Sequence, residues 1–280
     1  MKRYKEKVRN MIVAVVLTIF FSSFSRGETP KIVSLSPYVT ENIYLLGLEK
    51  NIIGLTIHDR EEIKRGKEII GTLLEPNIEK IMFLKPDIVI GSKEGNRQEH
   101  IEKLNKLGIK TYTLEELFSF EDICKNFITL GKILGRRDKA EEIVKMVKAR
   151  LKSVESAAEK QKKKKKVFFI LGFKPLFTTG NSTYINEAIM YAGGINIFSD
   201  VNKKWFPVGI EEVIKRNPDV IIFVTMGGEE KVLWEWLKDT KAVRNKKVFS
   251  IDSIMVCSPT PLSFVETAEN LYKFMSYDED

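Results

Sequence analysis

The amino-acid sequence predicts an α/β protein of two lobes, each with a mainly parallel central sheet flanked by helices, joined by one long helix. Short β-branched runs alternate with amphipathic segments of helical length, which is typical of parallel sheets covered on both faces. One stretch without strand signals, from Phe120 to about Lys160, interrupts this alternation. A segment of thirteen residues occurs once on each side of that stretch, which indicates that the two lobes are similar.

The first lobe is predicted at residues 26–119. Its apolar runs are bounded by turn residues, and Pro86 ends one helix before Asp87 opens the next strand. We expect strands at Ile32–Leu35, Ile52–Thr56, Ile88–Ile90 and Thr111–Tyr112, and helices at about Thr40–Leu46, Ile78–Leu84 and Arg97–Leu107.

Residues 120–160 are predicted to form a helical linker that includes the long helix. The helical periodicity breaks once, near Gly135, and Asp138 followed by Glu141 predicts a capping box at the start of the second helix. A helix from Asp138 to about Lys160 would be roughly 34 Å long at 1.5 Å per residue, which suits a rigid strut. The five adjacent lysines Lys162–Lys166 are typical of a solvated corner, because they repel one another and hydrate strongly.

The second lobe is predicted at residues 161–280, where the alternation resumes. A proline early in the last helix fits its first turn, where no intrahelical partner for an N–H is needed. We expect strands at Val167–Leu171, Val220–Val224 and Val248–Ile251, and helices at Tyr184–Ala192, Ile210–Arg216, Val232–Leu237 and about Pro261–Phe274.

The first 25 residues have the features of an export signal. Five basic side chains precede the apolar stretch Met11–Phe21, and Ser23 and Ser25 supply small residues before a plausible cleavage point. That stretch is shorter than the roughly 20 residues that span a bilayer, although a retained membrane anchor is the alternative. Since no cysteine lies near the cleavage point, we expect a soluble extracytoplasmic protein rather than a lipoprotein, with a signal peptide at residues 1–25.

The composition is that of an ordinary globular protein, with 43% hydrophobic and 30% charged residues. The net charge of +8 is concentrated at the N-terminus and in Lys162–Lys166, so no nucleic-acid partner is expected. The sequence leaves open whether the only two cysteines, Cys124 and Cys257, form a disulfide, and free thiols are the simpler interpretation.

Catalytic signatures are missing from the sequence. It contains no phosphate-cradling glycine loop and no nucleophile elbow. The only histidines, His58 and His100, are few for a site that holds a zinc or manganese ion. An enzyme and a metal-ion binding protein therefore remain remote alternatives.

The repeat aligns Ile78–Ile90 with Ile210–Ile222 without a gap. Packing explains most of it, because a helix, a proline, an aspartate in the turn and a buried strand suit either lobe. Asp87 and Asp219 occupy the same turn of different lobes, so we expect turn formers rather than an acid–base pair. The duplicated Glu79 and Glu211 are also favoured by the helix macrodipole, which leaves their role open at this point.

The sequence resembles the periplasmic binding proteins for cobalamin, iron-siderophores and haem over essentially the whole mature chain. The resemblance is closest to the cobalamin branch. It is carried by the segments Lys31–Pro37, Lys85–Ile90, Gly172–Gly180, Gly193–Phe198, Trp205–Glu211 and Asp252–Pro259. The resemblance implies the class III architecture and the substrate-binding component of an ABC importer. It also implies no enzymatic activity, no resident cofactor, and an inner-membrane permease dimer with ATPase subunits as the partner.

The resemblance also implies roles for particular residues. Glu79 and Glu211 are expected to dock into arginine pockets on two permease subunits through charge-assisted hydrogen bonds. The ligand is expected in the cleft between the lobes, where flat apolar side chains suit a corrin or porphyrin ring. The expected ligand contacts are Trp205, Phe177, His58, Leu73 and Asp252. His58 is a candidate axial ligand to cobalt or iron, and its alternative is a polar surface residue.

Three positions depart from the family pattern. His58 and Leu73 stand where cobalamin binders often have aromatic residues, and Val256 stands where many members have an arginine. A more apolar site is therefore expected. An anionic siderophore is disfavoured because such ligands usually need arginine, so cobalamin is the first expectation, with haem or an iron-siderophore as alternatives.

Overall fold

The computed structural model describes residues 30–161, 163–225 and 234–276. The predicted signal peptide lies outside these residues, as does part of the predicted helix Val232–Leu237. Within the described ranges, every helix is too short or too polar to cross a membrane.

Five parallel strands form the sheet of the first lobe, in the order β3-β2-β1-β4-β5. The strands are Ile32–Ser34 (β1), Ile52–Leu55 (β2), Glu68–Ile69 (β3), Ile88–Ser92 (β4) and Thr111–Leu114 (β5). The helices are Pro37–Leu45 (α1), Glu61–Lys64 (α2), Ile78–Leu84 (α3) and Gln98–Lys106 (α4). β1 and β4 are buried along their whole length, as expected for central strands covered on both faces.

Two helices, Phe120–Ile133 (α5) and Arg137–Ala158 (α6), follow the first sheet. The 22 residues of α6 make a helix about 33 Å long. α6 packs against α5 and against the last helix of the chain, and Phe120 stacks on Phe264 with ring centroids 4.6 Å apart. The linker helices therefore join the two lobes through a shared apolar core.

The predicted capping box at Asp138 and Glu141 is wrong. Gly135, at φ 68°, ends α5 in a Schellman motif in which the N–H of Arg136 donates to the Gly131 carbonyl at 2.7 Å. Arg136 is then already the N-cap of α6, so Asp138 falls inside the first turn, and Glu141 pairs with Arg137. A capping box does occur at the start of α5, where Ser119 and Asp122 accept from each other's backbone N–H groups.

The second lobe contains a mixed sheet of six strands, in the order β11-β10-β6-β7-β9, with β8 paired to β6. The strands are Lys166–Phe173 (β6), Leu176–Thr179 (β7), Ile195–Asn196 (β8), Trp205–Pro207 (β9), Val220–Val224 (β10) and Val248–Ile251 (β11). The helices are Tyr184–Tyr191 (α7), Ile210–Arg216 (α8), Lys241–Arg244 (α9), Ser253–Cys257 (α10) and Pro261–Ser276 (α11). β7 runs antiparallel to both neighbours, and the other pairs are parallel. The predicted fold class is confirmed, whereas the predicted domain boundaries stay predictions.

The repeated segments fold alike in the two lobes. α3 and α8 have seven residues each, and both end in a left-handed residue, Lys85 at φ 47° and Asn217 at φ 48°. The carboxylate of Asp87 accepts from the backbone N–H of Lys31 at 2.7 Å, and that of Asp219 accepts from the N–H of Lys166 at 2.9 Å. Each aspartate thus ties the turn after its helix to the beginning of its lobe's central strands, which is the structural role predicted for it.

Candidate functional site

A cavity of about 590 Å³ lies between the two lobes. Its volume falls within the roughly 300 to 1,000 Å³ of small-molecule sites. The first lobe contributes Ser36, Pro37, Tyr38, His58, Leu73, Glu94, Gly95 and Leu117 to its wall. The second lobe contributes Leu171, Tyr184, Ile185, Trp205, Ser253, Ile254, Cys257, Ser258 and Pro259. A second, open groove of about 390 Å³ lies along α6 and α7 and contains none of the predicted site residues.

Parallel strands explain why distant parts of the first lobe meet at this wall. Tyr38, His58, Glu94 and Leu117 follow β1, β2, β4 and β5 respectively, and the carboxyl ends of parallel strands meet at one edge of a sheet. The cavity therefore occupies the place where open α/β sheets bind their ligands.

Two polar side chains, the buried Asp59 and the half-buried Asn96, hold the loops of this wall in place. The carboxylate of Asp59 accepts from the backbone N–H of Thr56 at 2.8 Å and from its hydroxyl at 2.7 Å, which fixes the turn that carries His58. Burial raises the pKa of Asp59 above its ordinary value. The amide of Asn96 donates to the carbonyls of Leu35 and Leu73, at 3.0 and 2.8 Å, and so ties the Leu73 loop to the end of β1.

Three of the five predicted ligand contacts, His58, Leu73 and Trp205, lie on the wall of this one cavity. Trp205 is the first residue of β9 and packs edge-on against Tyr184, with ring centroids 6.0 Å apart and an interplanar angle of 73°. Leu73 lies so close to Gly95 that a Cβ there would approach its Cδ2 to 2.5 Å, so a larger residue at position 95 would displace the Leu73 side chain.

The other two predicted contacts, Phe177 and Asp252, lie outside the wall. Phe177 sits within β7, opposite Gly172 of β6, and pairs with Pro207 of β9. Asp252 is the N-cap of α10, and its carboxylate accepts from the backbone N–H of Met255 at 3.0 Å. Their contacts with a ligand stay predictions, and the wall next to Asp252 is formed by its neighbours on α10.

Sequence reasoning missed the two tyrosines of the wall. The hydroxyl of Tyr184 donates to the carbonyl of Val256 at 3.0 Å, so this phenol presents its ring to the neighbouring Trp205. Burial raises the pKa of Tyr38 and of Tyr184 above the ordinary value, so both are neutral phenols at physiological pH. The signal that was available is the position of Tyr38 just after the first strand.

One lysine bridges the lobes at the rim of the cavity. The Nζ atom of Lys204, in the second lobe, lies 2.9 Å from Glu94 Oε1 and 3.3 Å from Glu116 Oε2 of the first lobe. It also lies 4.0 Å from the ring centroid of Phe118. Glu94 Oε1 additionally accepts from the N–H of Leu117 at 2.7 Å. This network connects the wall residue Glu94 to the opposite lobe.

Both cysteines are free. Cys124 is buried in α5, whereas Cys257 is exposed and belongs to the cavity wall. Burial raises the pKa of Cys124 to about 12, and desolvation by the surrounding cleft raises that of Cys257 to about 11. The two thiols therefore do not pair in this structure, and only one of them borders the cavity.

The two histidines occupy different places. His58 lies on the cavity wall, whereas His100 belongs to α4 and has Nε2 3.4 Å from the carboxylate of Glu75. Among the residues that the structure describes, no group of three or more His, Cys, Asp or Glu side chains is arranged to hold a metal ion.

The two predicted docking glutamates are exposed in the first turns of α3 and α8. Within the described part of the chain, neither Glu79 nor Glu211 has an ion-pair partner, whereas the neighbouring Glu212 pairs with Arg216 at 2.7 Å. Their contact with a permease stays a prediction, but both carboxylates are available to a partner.

Comparisons with known proteins identify the family of this chain. A family model described as periplasmic binding protein matches residues 32–255. A vitamin B12-binding protein from Vibrio parahaemolyticus is 27% identical over 253 residues, covering 89% of this chain and 91% of the relative. An uncharacterized ABC transporter substrate-binding lipoprotein from Bacillus subtilis is 31% identical over 260 residues, covering 88% of this chain and 81% of the relative.

A solved structure shows the same fold. The periplasmic heme binding protein HutB of Vibrio cholerae superposes with a TM-score of 0.79 at 21% identity, and the match covers 89% of this chain and 100% of that one. At this identity the likeness concerns the fold alone.

Proposed function

The chain belongs to the periplasmic binding protein family, and from that premise we propose that it is the extracytoplasmic substrate-binding component of an ABC importer for cobalamin or a related corrinoid. The cavity between the lobes is the observation that supports cobalamin as the ligand. Leu73 of the first lobe and Tyr184 and Trp205 of the second lobe lie on its wall. Broad apolar side chains of this kind give a flat ring system large areas of van der Waals contact.

The charge of the wall favours a corrinoid over an anionic chelate. Among the described residues that line the cavity, none is an arginine or a lysine, and the carboxylate of Glu94 already pairs with Lys204 at the rim. Anionic ligands are usually held by arginine. A corrinoid, which carries mainly neutral amides at its edge, therefore fits this wall better than a chelate that carries carboxylates. The relative from Vibrio parahaemolyticus, named as a vitamin B12-binding protein, supports the same choice.

Haem is the second candidate, and His58 is the observation that favours it. Its imidazole lies on the cavity wall, and imidazole is a common axial ligand of haem iron. A His58→Ala variant distinguishes haemin from cyanocobalamin, because it would remove an iron ligand in the haem complex, whereas both axial positions of the cobalt in cyanocobalamin are already occupied.

The test is calorimetric titration of the fragment from Arg26 onwards with cyanocobalamin, haemin and a ferric siderophore. We expect cyanocobalamin to bind with one-to-one stoichiometry. At a concentration 100 times its Kd it should add about 2.7 kcal/mol to the free energy of unfolding, or roughly 5 to 10 °C in Tm. If none of the three ligands gives heat of binding or shifts the Tm, the proposed class of ligand is wrong. If the protein shows a haem absorption band that is lost in the His58→Ala variant, the ligand is haem rather than cobalamin.

Cys257 reports directly on where the ligand binds. We expect N-ethylmaleimide to label Cys257 slowly at pH 7 and about tenfold faster for each pH unit up to pH 9, because the thiolate reacts and the pKa is raised to about 11. The buried Cys124 should stay unlabelled, and cyanocobalamin should protect Cys257. Intact-mass spectrometry of Cys124→Ala and Cys257→Ala variants separates the two thiols. Ligand binding without protection of Cys257 would place the ligand elsewhere.

The proposal that the protein delivers its ligand to an importer rests on the exposed pair Glu79 and Glu211. We propose a permease dimer with ATPase subunits as the partner, and export through residues 1–25 as the route to it. The Bacillus subtilis relative is named as a lipoprotein, whereas this chain has no cysteine near residue 25 to carry a lipid. N-terminal sequencing of the secreted or periplasmic protein tests cleavage after Ser25, and an intact N-terminus in the membrane fraction would indicate an anchor instead.

A further inference from the structure

The two helices that carry the docking glutamates have the same backbone but different outer faces. α3 and α8 correspond residue by residue, so Glu79 matches Glu211 and Met82 matches Ile214. At the next position the two helices differ, because Phe83 of α3 corresponds to Lys215 of α8. The structure therefore provides an internal comparison between two equivalent surfaces.

Phe83 is 85% exposed, more than any other large apolar side chain that the structure describes, and its neighbour Met82 is 43% exposed. In a helix, residues three and four positions apart lie on the same face, so Met82 and Phe83 adjoin the carboxylate of Glu79. α3 packs on the sheet through Ile78 and Ile81 instead.

The fold itself does not require an aromatic residue at this position. The equivalent helix α8 carries Lys215 there, also exposed, and packs through Val213 just as α3 packs through Ile81. Met82 and Phe83 together form a contiguous exposed apolar patch that α3 does not use for its own packing, and such a patch indicates an interaction surface.

The charges around this surface indicate what the partner offers. Lys80, the only cation within α3, forms an ion pair with Glu68 at 2.8 Å. Glu79 is thus left as an unpaired negative charge beside the two apolar side chains. A complementary surface has a cationic side chain next to an apolar pocket.

We propose that Phe83, together with Met82, is an apolar anchor that inserts into the permease subunit docked on the first lobe. The proposal rests on the proposed function and adds that the two docking contacts differ in chemistry. The contact at α3 combines an ion pair with apolar burial, whereas the contact at α8, with Glu211 and Lys215, depends mainly on charge. High salt should therefore weaken the α8 contact more than the α3 contact, because exposed charges are screened and apolar burial is not.

The experiment measures binding of the ligand-loaded protein to the importer of the same organism, reconstituted in lipid nanodiscs, by biolayer interferometry. We expect Phe83→Ser to weaken binding at least tenfold, because buried aromatic residues dominate interface affinity. The matched control Met146→Ser, which replaces an exposed apolar residue on α6, should change the affinity for the importer less than threefold. The affinity for cyanocobalamin should be the same in all variants, which also shows that they are folded.

The outcomes separate this inference from the proposed function. If Glu79→Ala/Glu211→Ala abolishes binding while Phe83→Ser binds like the unmodified protein, the anchor is wrong and the importer partnership stands. If the double variant binds normally, the docking role of the glutamates is wrong and the anchor, which is argued from its position beside Glu79, is overturned, while the importer partnership stands. If the unmodified protein does not bind the importer, the anchor and the proposed function both fail. If sedimentation velocity shows a dimer that Phe83→Ser dissolves while importer binding is unchanged, Phe83 contacts a second copy of the chain and the anchor is overturned.

Discussion

Replacing both Glu79 and Glu211 by alanine is expected to abolish ligand transport in a reconstituted importer. Both carboxylates are exposed and free of ion-pair partners among the described residues, so each can form a charge-assisted hydrogen bond with a cationic side chain of the permease. Such a bond contributes roughly 1.5 to 3 kcal/mol. Loss of two of them should therefore weaken docking by about 100-fold to 10,000-fold. Transport is measured as uptake of radiolabelled cyanocobalamin into proteoliposomes that contain the importer.

Ligand affinity should not change in this double variant, since neither glutamate lines the cavity. The matched control is Glu142→Ala/Glu159→Ala, which removes the same charge from exposed positions of α6 and its C-terminal end. We expect the control to transport normally. Normal transport by the Glu79→Ala/Glu211→Ala variant would remove the docking role from this pair. Glutamine at both positions keeps the shape of the side chains, so loss of transport in that variant would show that the charge is what matters.

The second large effect is expected for Trp205→Ala, which should weaken cobalamin binding by about 30-fold to 1,000-fold. The indole is part of the cavity wall and is held in its orientation by Tyr184. Truncation removes a large apolar contact area from the wall of the site, and such losses are typically about 2 to 4 kcal/mol. Isothermal titration calorimetry measures the change directly.

Trp236 is the matched control for this variant. It is 55% exposed and lies outside the cavity wall, so Trp236→Ala should bind cobalamin with unchanged affinity. Fluorescence provides a second measurement, because quenching by the bound corrin should disappear in Trp205→Phe and persist in Trp236→Phe. A Trp205→Ala variant that binds cobalamin as tightly as the unmodified protein would exclude Trp205 from the site.

The strands that the sequence predicts well are those whose surroundings are uniform along their length. β10 is apolar at every position, and β1 and β4 begin with continuous apolar runs, because both faces of a central parallel strand are buried. Such a run is visible without knowledge of the fold. β3, β7, β8 and β9 were not predicted. They have two to four residues each, and their strand character comes from pairing with a neighbour rather than from a pattern of their own.

Helix ends also divide into those that the sequence predicts and those that depend on the preceding chain. Pro37 begins α1, three residues before the predicted start at Thr40, because proline fits the first turn of a helix. The capping box at Asp138 satisfied the sequence pattern, yet the tight turn at Gly135 had already placed Arg136 at the N-cap. A motif of four residues predicts a cap only when the preceding chain leaves that position free.

The sequence by itself determined the features that depend on neighbouring residues or on comparison of two segments. These are the α/β class, the long linker helix, and the duplicated turn with Asp87 and Asp219. Only the tertiary structure decided which side chains meet between the lobes. It places His58, Leu73 and Trp205 on one wall, leaves Phe177 and Asp252 outside it, and brings Lys204 to Glu94. Contacts of this kind join residues about a hundred positions apart, so they depend on how two sheets and a linker pack together, which no local pattern encodes.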